Sequence, residues 1–353
     1  MDFRLLPYDA AAAPHVVRLW NAAIGDTFPL REAALHQCLE ANPSARPEDG
    51  CLAWTEDGHL VGFGYAGFHR LDLPETAGFG ERGQIQAVVV DPAIRRQGLG
   101  RRIAGHLAGM ARDRGIDRLD AGGGMFYLWG GMPDDLPGAA GFCEAIGFEL
   151  GDVSWDLRGD VTDLRVDDRS VALLRDEGLT VEPATAADAA AALDFLFAEF
   201  GGEWWHETSW FLAEGGDVGT LLLLRAASRR IIGLARIHRP DVRPIGPPHF
   251  WAARRAPAAG GLGPIGIAAE RRGQGLGRAL LVVALDRLRQ AGLNDVVIDL
   301  TSLLGYYGSH GFRPWMTWRH GAAPVERMLA ATRATGAAAA NATAALPQVE
   351  DAR

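Results

Sequence analysis

The string Arg95-Arg96-Gln97-Gly98-Leu99-Gly100-Arg101 recurs as Arg272-Gly273-Gln274-Gly275-Leu276-Gly277-Arg278, 177 positions later (272 − 95 = 177). Each copy follows an apolar, β-branched run (Ala87 to Val90; Ile265 to Ala268) and opens an apolar-periodic segment (Ile103 to Met110; Leu280 to Leu288). Strand, glycine-rich turn and helix start, in that order, make an anion site. The glycines let backbone N–H groups converge on one point, the helix start adds the positive end of its dipole, and the arginines add charge. One copy alone would read equally well as a tight turn with solvated charges; two copies in register read as a duplicated anion-binding unit. A Walker-type phosphate loop is excluded because no Gly-Lys-Ser/Thr follows. The dinucleotide fingerprint lacks its third glycine, which is Ile103 in one copy and Leu280 in the other.

The elements needed to hold these turns can be read in parallel. Phe3 to Leu6 and Leu179 to Glu182 predict opening strands, each followed by an alanine-rich helix, Ala10 to Ala23 and Ala186 to Phe200, with Asp188 as a cap. A hairpin follows in each half, Cys51 to Thr55 with Leu60 to Ala66, and Leu221 to Arg225 with Ile231 to Ile237. Then come the turn-bearing strand and helix, a further strand (Arg118 to Ala121; Asp295 to Leu300), a short helix closed by Gly147-Phe148 or Gly311-Phe312, and a last strand. Each half thus reads β-α-β-β-β-α-β-α-β, an α+β mixed sheet flanked by helices. The domain boundaries expected are 1–157, a charged linker over 158–177, a second domain over 178–330 and a disordered alanine-rich tail over 331–353. Ala256 to Gly263 reads as a flexible loop before the second turn-bearing strand.

Composition bounds the partners. A chain of 353 residues, 48% hydrophobic and 22% charged, has core material for two ordinary domains. A formal net charge of −9 argues against nucleic acid and favours a cationic small molecule. Cys38, Cys51 and Cys143 have no metal-like spacing, no run approaches the length of a spanning helix, and the first residues lack the pattern of a signal peptide. The expectation is a cytoplasmic protein without a metal or a membrane partner.

The pattern Arg/Gln-x-x-Gly-x-Gly after a hydrophobic strand, followed by aromatic-Tyr-x-x-x-Gly-Phe, resembles the GCN5-related N-acetyltransferase superfamily. The second half carries both parts, Arg272 to Gly277 and Tyr306-Tyr307-Gly308-Ser309-His310-Gly311-Phe312. The first half keeps Arg95 to Gly100 but has Phe142-Cys143-Glu144-Ala145-Ile146-Gly147-Phe148 at the later motif. The resemblance implies two tandem acyl-CoA N-acyltransferase folds with acetyl-CoA as co-substrate, the second catalytic and the first degenerate or holding a second cofactor site. It places pyrophosphate on Gly273, Gln274, Gly275, Leu276 and Gly277, with Arg272 and Arg278 adding charge-assisted bonds. Pantetheine would lie along Ile265 to Ala268, and an N–H near Ile267 would polarise the thioester carbonyl. The corresponding first-half set is Val90, Arg95, Arg96, Gln97, Gly98, Gly100 and Arg101.

Tyr307 is the expected proton donor to the departing thiolate, and Tyr306 the expected core aromatic. The amine must also lose a proton, and Asp299, Glu203, His206 and Glu207 are the candidate bases. Cys143 reads as a small buried hydrophobe. Trp204, Trp205, Trp210 and Trp251 fall in segments expected around the acceptor cleft, and aromatic faces suit sugar rings as well as core packing. Tyr127 to Pro133 and Tyr306 to Trp315 look similar to tandem acetyltransferases acting on hexosamines. The expected activity is acetyl transfer to a primary amine of a small molecule, an amino sugar first, by a monomer or homodimer. A non-catalytic acyl-CoA sensor and a protein or peptide amine acetyltransferase are the alternatives.

Overall fold

The computed structural model describes residues 3–43, 46–68, 82–255 and 258–333. The first half runs β1 (Phe3–Pro7), α1 (Ala13–Ile24), α2 (Glu32–Leu35), β2 (Gly50–Thr55), β3 (Leu60–Phe68), β4 (Arg82–Val90), α3 (Leu99–Asp113), β5 (Arg118–Ala121), β6 (Met132–Pro133), α4 (Ala139–Ala145) and β7 (Glu149–Asp160). A helix α5 (Asp168–Asp176) leads into the second half: β8 (Thr180–Pro183), α6 (Ala189–Phe200), α7 (Gly202–Ala213), β9 (Leu221–Arg225), β10 (Ile231–His238), β11 (Ala259–Ile267), α8 (Leu276–Gln290), β12 (Asp295–Thr301), α9 (Leu304–Gly308) and β13 (Arg313–Pro324). A further helix covers 325–333. The α+β class is as read from the sequence.

All the strands join one mixed sheet in the order β1-β2-β3-β4-β5-β13-β7-β12-β11-β10-β9-β8, with β6 on β13. The centre of that order is an exchange. β7, from the first half of the chain, pairs with β12, whereas β13, from the end of the chain, pairs with β5. The helix over 325–333 follows β13 across, and its Val325, Met328 and Leu329 pack with Ile103 and Leu107 of α3.

Both faces of the sheet are covered, so inner strands such as β9 and β10 are buried throughout rather than alternating. In β9, Leu221 and Leu223 join the cluster under α6, while Leu222 and Leu224 join the cluster under α8. The first half repeats this with α1 on one face and α3 on the other. The α1 cluster reaches into the second half, where Phe250, Trp251, Met316 and Trp318 pack around Trp20, Phe28 and Trp129.

Several sequence expectations are corrected here. Residues 158–177, read as a charged linker, hold the end of β7 (Arg158 to Asp160) and α5, which forms because Asp167 caps it through Ser170 N–H at 3.1 Å. Ala259 to Gly263 are strand rather than loop, with Ala259 to Leu262 paired in parallel with β12, while residues 256–257 lie outside the described residues. Asp188 completes a capping box with Thr185. The tail is helical as far as residue 333, and the disorder expected over 334–353 lies outside the described residues. Trp251, expected around the acceptor cleft, is 2% exposed and packs in the core.

Candidate active site

Both turns adopt the same backbone. Gly98 and Gly275 take φ of +86° and +84° as N-caps of α3 and α8, and neither helix has a side-chain cap on its first N–H groups. Gly273 has φ +75°, a region that favours glycine, and Arg96 holds the matching position of the first copy at φ +65° despite its side chain. A Cβ at Gly273 would meet nothing within 4 Å, so the turn presents an open face of uncapped N–H groups.

Beside each turn the sheet splays. β11 pairs with β12 only from Ala259 to Leu262, and β4 with β5 only from Arg82 to Ile85. Beyond those points β11 and β4 stay on their outer neighbours, leaving a V-shaped gap on the inner side. Ala268 N–H bonds Ile232 O at 2.9 Å, while Ile267 O accepts from Arg272 Nε at 3.0 Å. Alternation along an antiparallel strand therefore turns the Ile267 N–H away from β10 and into the gap. The first half repeats the device, with Asp91 N–H on Val61 O and Arg95 Nε on Val90 O. An extended thioester arm with a pyrophosphate at one end fits this combination of open strand edge and uncapped helix start.

The arginines are less free than the sequence suggests. Arg272 lies over the Phe200 ring (5.7 Å) besides bonding Ile267, and Arg278 pairs with Asp167 at 3.3 Å and meets His310 at 3.4 Å. Gln274 accepts from Arg271 Nε and donates to Glu270 O, so its side chain serves the turn itself. Arg271, which the motif does not single out, bonds Glu177 at the end of α5.

At the mouth of the second gap the candidate bases converge. Asp299, near the end of β12, accepts from Tyr127 Oη at 3.0 Å, and its other oxygen is buried without a partner among the described residues. Burial pushes its carboxyl up to about 6, against the lowering effects of the Tyr127 bond and the Arg236 charge. Glu207 of α7 accepts from Phe126 N–H at 2.9 Å and is raised by burial and by the neighbouring Glu203, itself raised by burial. Arg236 of β10 faces these carboxylates, stacks on Phe211 at 3.6 Å, and has a buried Nε without a partner among the described residues. His206 is buried, with its ring 5.5 Å edge-on from Phe126 and 6.3 Å from Trp205. Trp210 meets Phe126 at 4.9 Å, and Trp204 lies on Phe200 at 4.5 Å.

The two tyrosines divide differently from the expectation. Tyr307 is 5% exposed in the α8 cluster, with no hydrogen bond to its hydroxyl among the described residues, and burial raises it well above an ordinary phenol. Tyr306, expected in the core, is 37% exposed, and a Cβ on Gly277 would come within 3.7 Å of its hydroxyl. On a one-turn helix, consecutive residues cannot share a face, so only one of the pair can enter the core.

The first half differs at the reacting positions. The registers Arg82↔Arg118 and Ala259↔Asp295 are 177 apart on both strands, so Gly122 stands where the second half has Asp299 (299 − 177 = 122). Cys143 is pushed up to about 12 by burial. The cavity there is nonetheless large, about 880 Å³, lined by Val90, Arg95, Arg96, Gly98, Gly100 and Arg101 of the expected set, with Trp129 and Cys143 opposite. Gln97 is not among its lining residues. Among the described residues no group of His, Cys, Asp and Glu could hold a metal, and no helix is long and apolar enough to cross a membrane.

The sequence profile described as Acetyltransferase (GNAT) family matches residues 16–124 and again 189–312. A mycothiol acetyltransferase of Geodermatophilus obscurus is 28% identical over 335 residues, 88% of this chain and 92% of that protein. One from Thermobispora bispora is 30% identical over 251 residues, 65% of this chain and 72% of its own. Among solved structures, the GCN5-related glucosamine N-acetyltransferase region of a fungal multi-domain GH3 β-N-acetylglucosaminidase superposes with a TM-score of 0.81 at 22% identity. That match covers 91% of this chain and 38% of the fungal one. A tandem GNAT protein from the clavulanic acid biosynthesis pathway gives 0.64 at 16% identity, covering 92% and 99%. With the profile met once in each half and the same splayed, turn-bearing architecture built twice, the chain belongs to the acetyltransferase (GNAT) family.

Proposed function

We propose that the second half transfers acetyl from acetyl-CoA to the primary amine of a small, hydroxyl-bearing ring compound, an amino sugar being the leading candidate, by direct attack on the thioester. The observation that carries this reading is the convergence of Asp299, Glu207 and Arg236 at the mouth of the second gap, with buried polar atoms of Asp299 and Arg236 left unpartnered. Such orphans call for a polar ligand. Acetyl-CoA, when bound, supplies the activated acetyl group. Uncapped N–H groups at Gly275 to Gly277 hold its phosphates, and the Ile267 N–H polarises the acyl oxygen. Asp299, its carboxyl raised by burial to about 6, takes the proton from the incoming ammonium. Tyr307, kept protonated by burial, gives one to the leaving sulfur, and the second amine proton, shed as the tetrahedral adduct collapses, restores the phenol.

The names of the relatives, one group acting on mycothiol and one on glucosamine, support an amine on a small molecule over a protein amine. Membership in a transferase family favours turnover over the sensor alternative. The first half keeps the turn and the cavity but has Gly122 and Cys143 at the proton-transfer positions. We assign it binding of an acyl-CoA-type ligand without turnover.

Thiol release from acetyl-CoA over a panel of amino sugars, polyamines, amino acids and peptides tests the acceptor. The chain contains no lysine, so release cannot come from its own ε-amino groups. Glucosamine or a close derivative is expected to be the best acceptor; efficient turnover of linear polyamines or peptides with none on amino sugars refutes the acceptor class.

A further inference from the structure

The acceptor site of the second half has a wall built by the first. The segment 122–131 leaves β5 through Gly122, Gly123 and Gly124, with φ of +68°, +72° and +81°. A Cβ on Gly122 would strike the Gly131 backbone at 2.9 Å, and one on Gly124 would strike Gln84 at 2.8 Å, so the loop can fold back on itself only with glycine there. Gln86 latches it from the first-half side: its amide donates to Gly123 O (2.7 Å) and accepts from Leu128 N–H (3.1 Å), and its carbonyl takes Trp129 Nε1–H. The tip then crosses to the second half. Phe126 sits at φ +55°, which a side-chain-bearing residue adopts at a cost, and that conformation directs its N–H to Glu207. Next to it, Tyr127 donates to Asp299. Leu300, directly after Asp299, is also in the left-handed region (φ +40°), its N–H held by Asp156 at 2.9 Å. The two strained, non-glycine residues therefore flank one hydrogen bond, Tyr127 to Asp299, made between the halves.

We infer that Tyr127, carried by the first half, is the positioning residue for the Asp299 carboxylate, so that the acceptor site of the second half is complete only with the first half in place. This rests on the reading of Asp299 as the base. The groups facing Asp299 are Tyr127 from the loop, Arg236 from β10, Glu207 from α7, Asp156 from β7 and Tyr307 from α9. Among the described residues, Tyr127 is the one of these groups with a hydrogen bond to it. The hydroxyl does two things: it holds one carboxylate oxygen of Asp299 while the other stays buried beside Gly263, without a partner among the described residues, and it favours the ionised form over the neutral acid.

The test uses the full chain and its best amine acceptor, with kcat/KM measured from pH 5 to 9. Wild type should rise through one apparent pKa as the base loses its proton. Tyr127→Phe keeps the ring and removes the donor, so the base holds its proton to higher pH. The rising limb should move up by on the order of half a unit to one unit, with the acetyl-CoA KM unchanged. Loss below pH 7 should be largest and should shrink toward pH 9. A uniform loss at every pH, or a limb that does not move while the thermal midpoint matches wild type, overturns the inference. Asp299→Asn separates the two claims. If it is as active as wild type, Asp299 is not the base and both fall; if it is inactive while the Tyr127→Phe limb is unmoved, the base stands and the positioning role falls.

Discussion

Two substitutions between matched positions separate the halves chemically. Asp299 is matched in the first half by Gly122, and Tyr307 by Cys143. A buried phenol with an unpaired hydroxyl can give up a proton to a developing thiolate, whereas a thiol raised to about 12 among apolar neighbours has no comparable task. Tyr307→Phe is therefore expected to lower kcat by about 10²–10⁴-fold, the range for a lost general acid, with acetyl-CoA affinity unchanged by calorimetry. Cys143→Ala should leave kcat within about twofold, as expected of a residue outside the machinery. The reverse pattern would move the chemistry to the first half. Tyr307 could be singled out in the sequence because its motif spacing is local. The exposure of Tyr306 could not, since nothing in two adjacent tyrosines says which one the core takes.

The strand-turn-helix unit is the part of the molecule most completely written into local sequence. Its glycines answer to φ angles, its helices to apolar periodicity, and both copies form the same cradle. The prediction that belongs here is one of stoichiometry. Gly275→Glu places a carboxylate and a strained left-handed residue at the helix start and should abolish binding at the second site; Gly98→Glu should do the same at the first. Calorimetry on the wild type should find two acetyl-CoA sites, one in each single variant and none in the double. If Gly98→Glu leaves two, the first cavity is not an acyl-CoA site, whatever its volume. Turnover should fail only with Gly275→Glu.

The exchange of β7 and β13 makes one molecule of two halves. Residues 1–160 alone would leave β5 and β7 with unpaired edges where β13 and β12 belong, and would expose the α3 surface that the helix over 325–333 covers. Open central strands and a bared apolar face favour aggregation over folding. Fragments 1–160 and 161–353, each expressed alone, are expected to be insoluble or to show no cooperative thermal transition. Expressed together they should co-purify and recover thiol release. An independently folded, monomeric 161–353 fragment with wild-type activity would contradict both this account and the role of Tyr127.

The repeat, its 177-residue offset, the strand and helix order of each half, the turn glycines and the pool of candidate bases all lie in local sequence, because local torsion preference and apolar period leave marks within a few residues. Pairing between distant segments leaves no such mark. The sequence reading assigned each last strand to its own half, and edge-strand chemistry does not distinguish β7 on β12 from β7 on β5. The exchange brings Trp318 of β13 into one core cluster with Trp20, Phe28, Trp129 and Trp251, contacts between residues far apart in the chain. The same holds for the site. Four candidate bases were visible, but only folding brings Tyr127 and Phe126, 172 and 81 positions away from their partners, onto Asp299 and Glu207, and buries those carboxyls enough to raise them toward neutral pH.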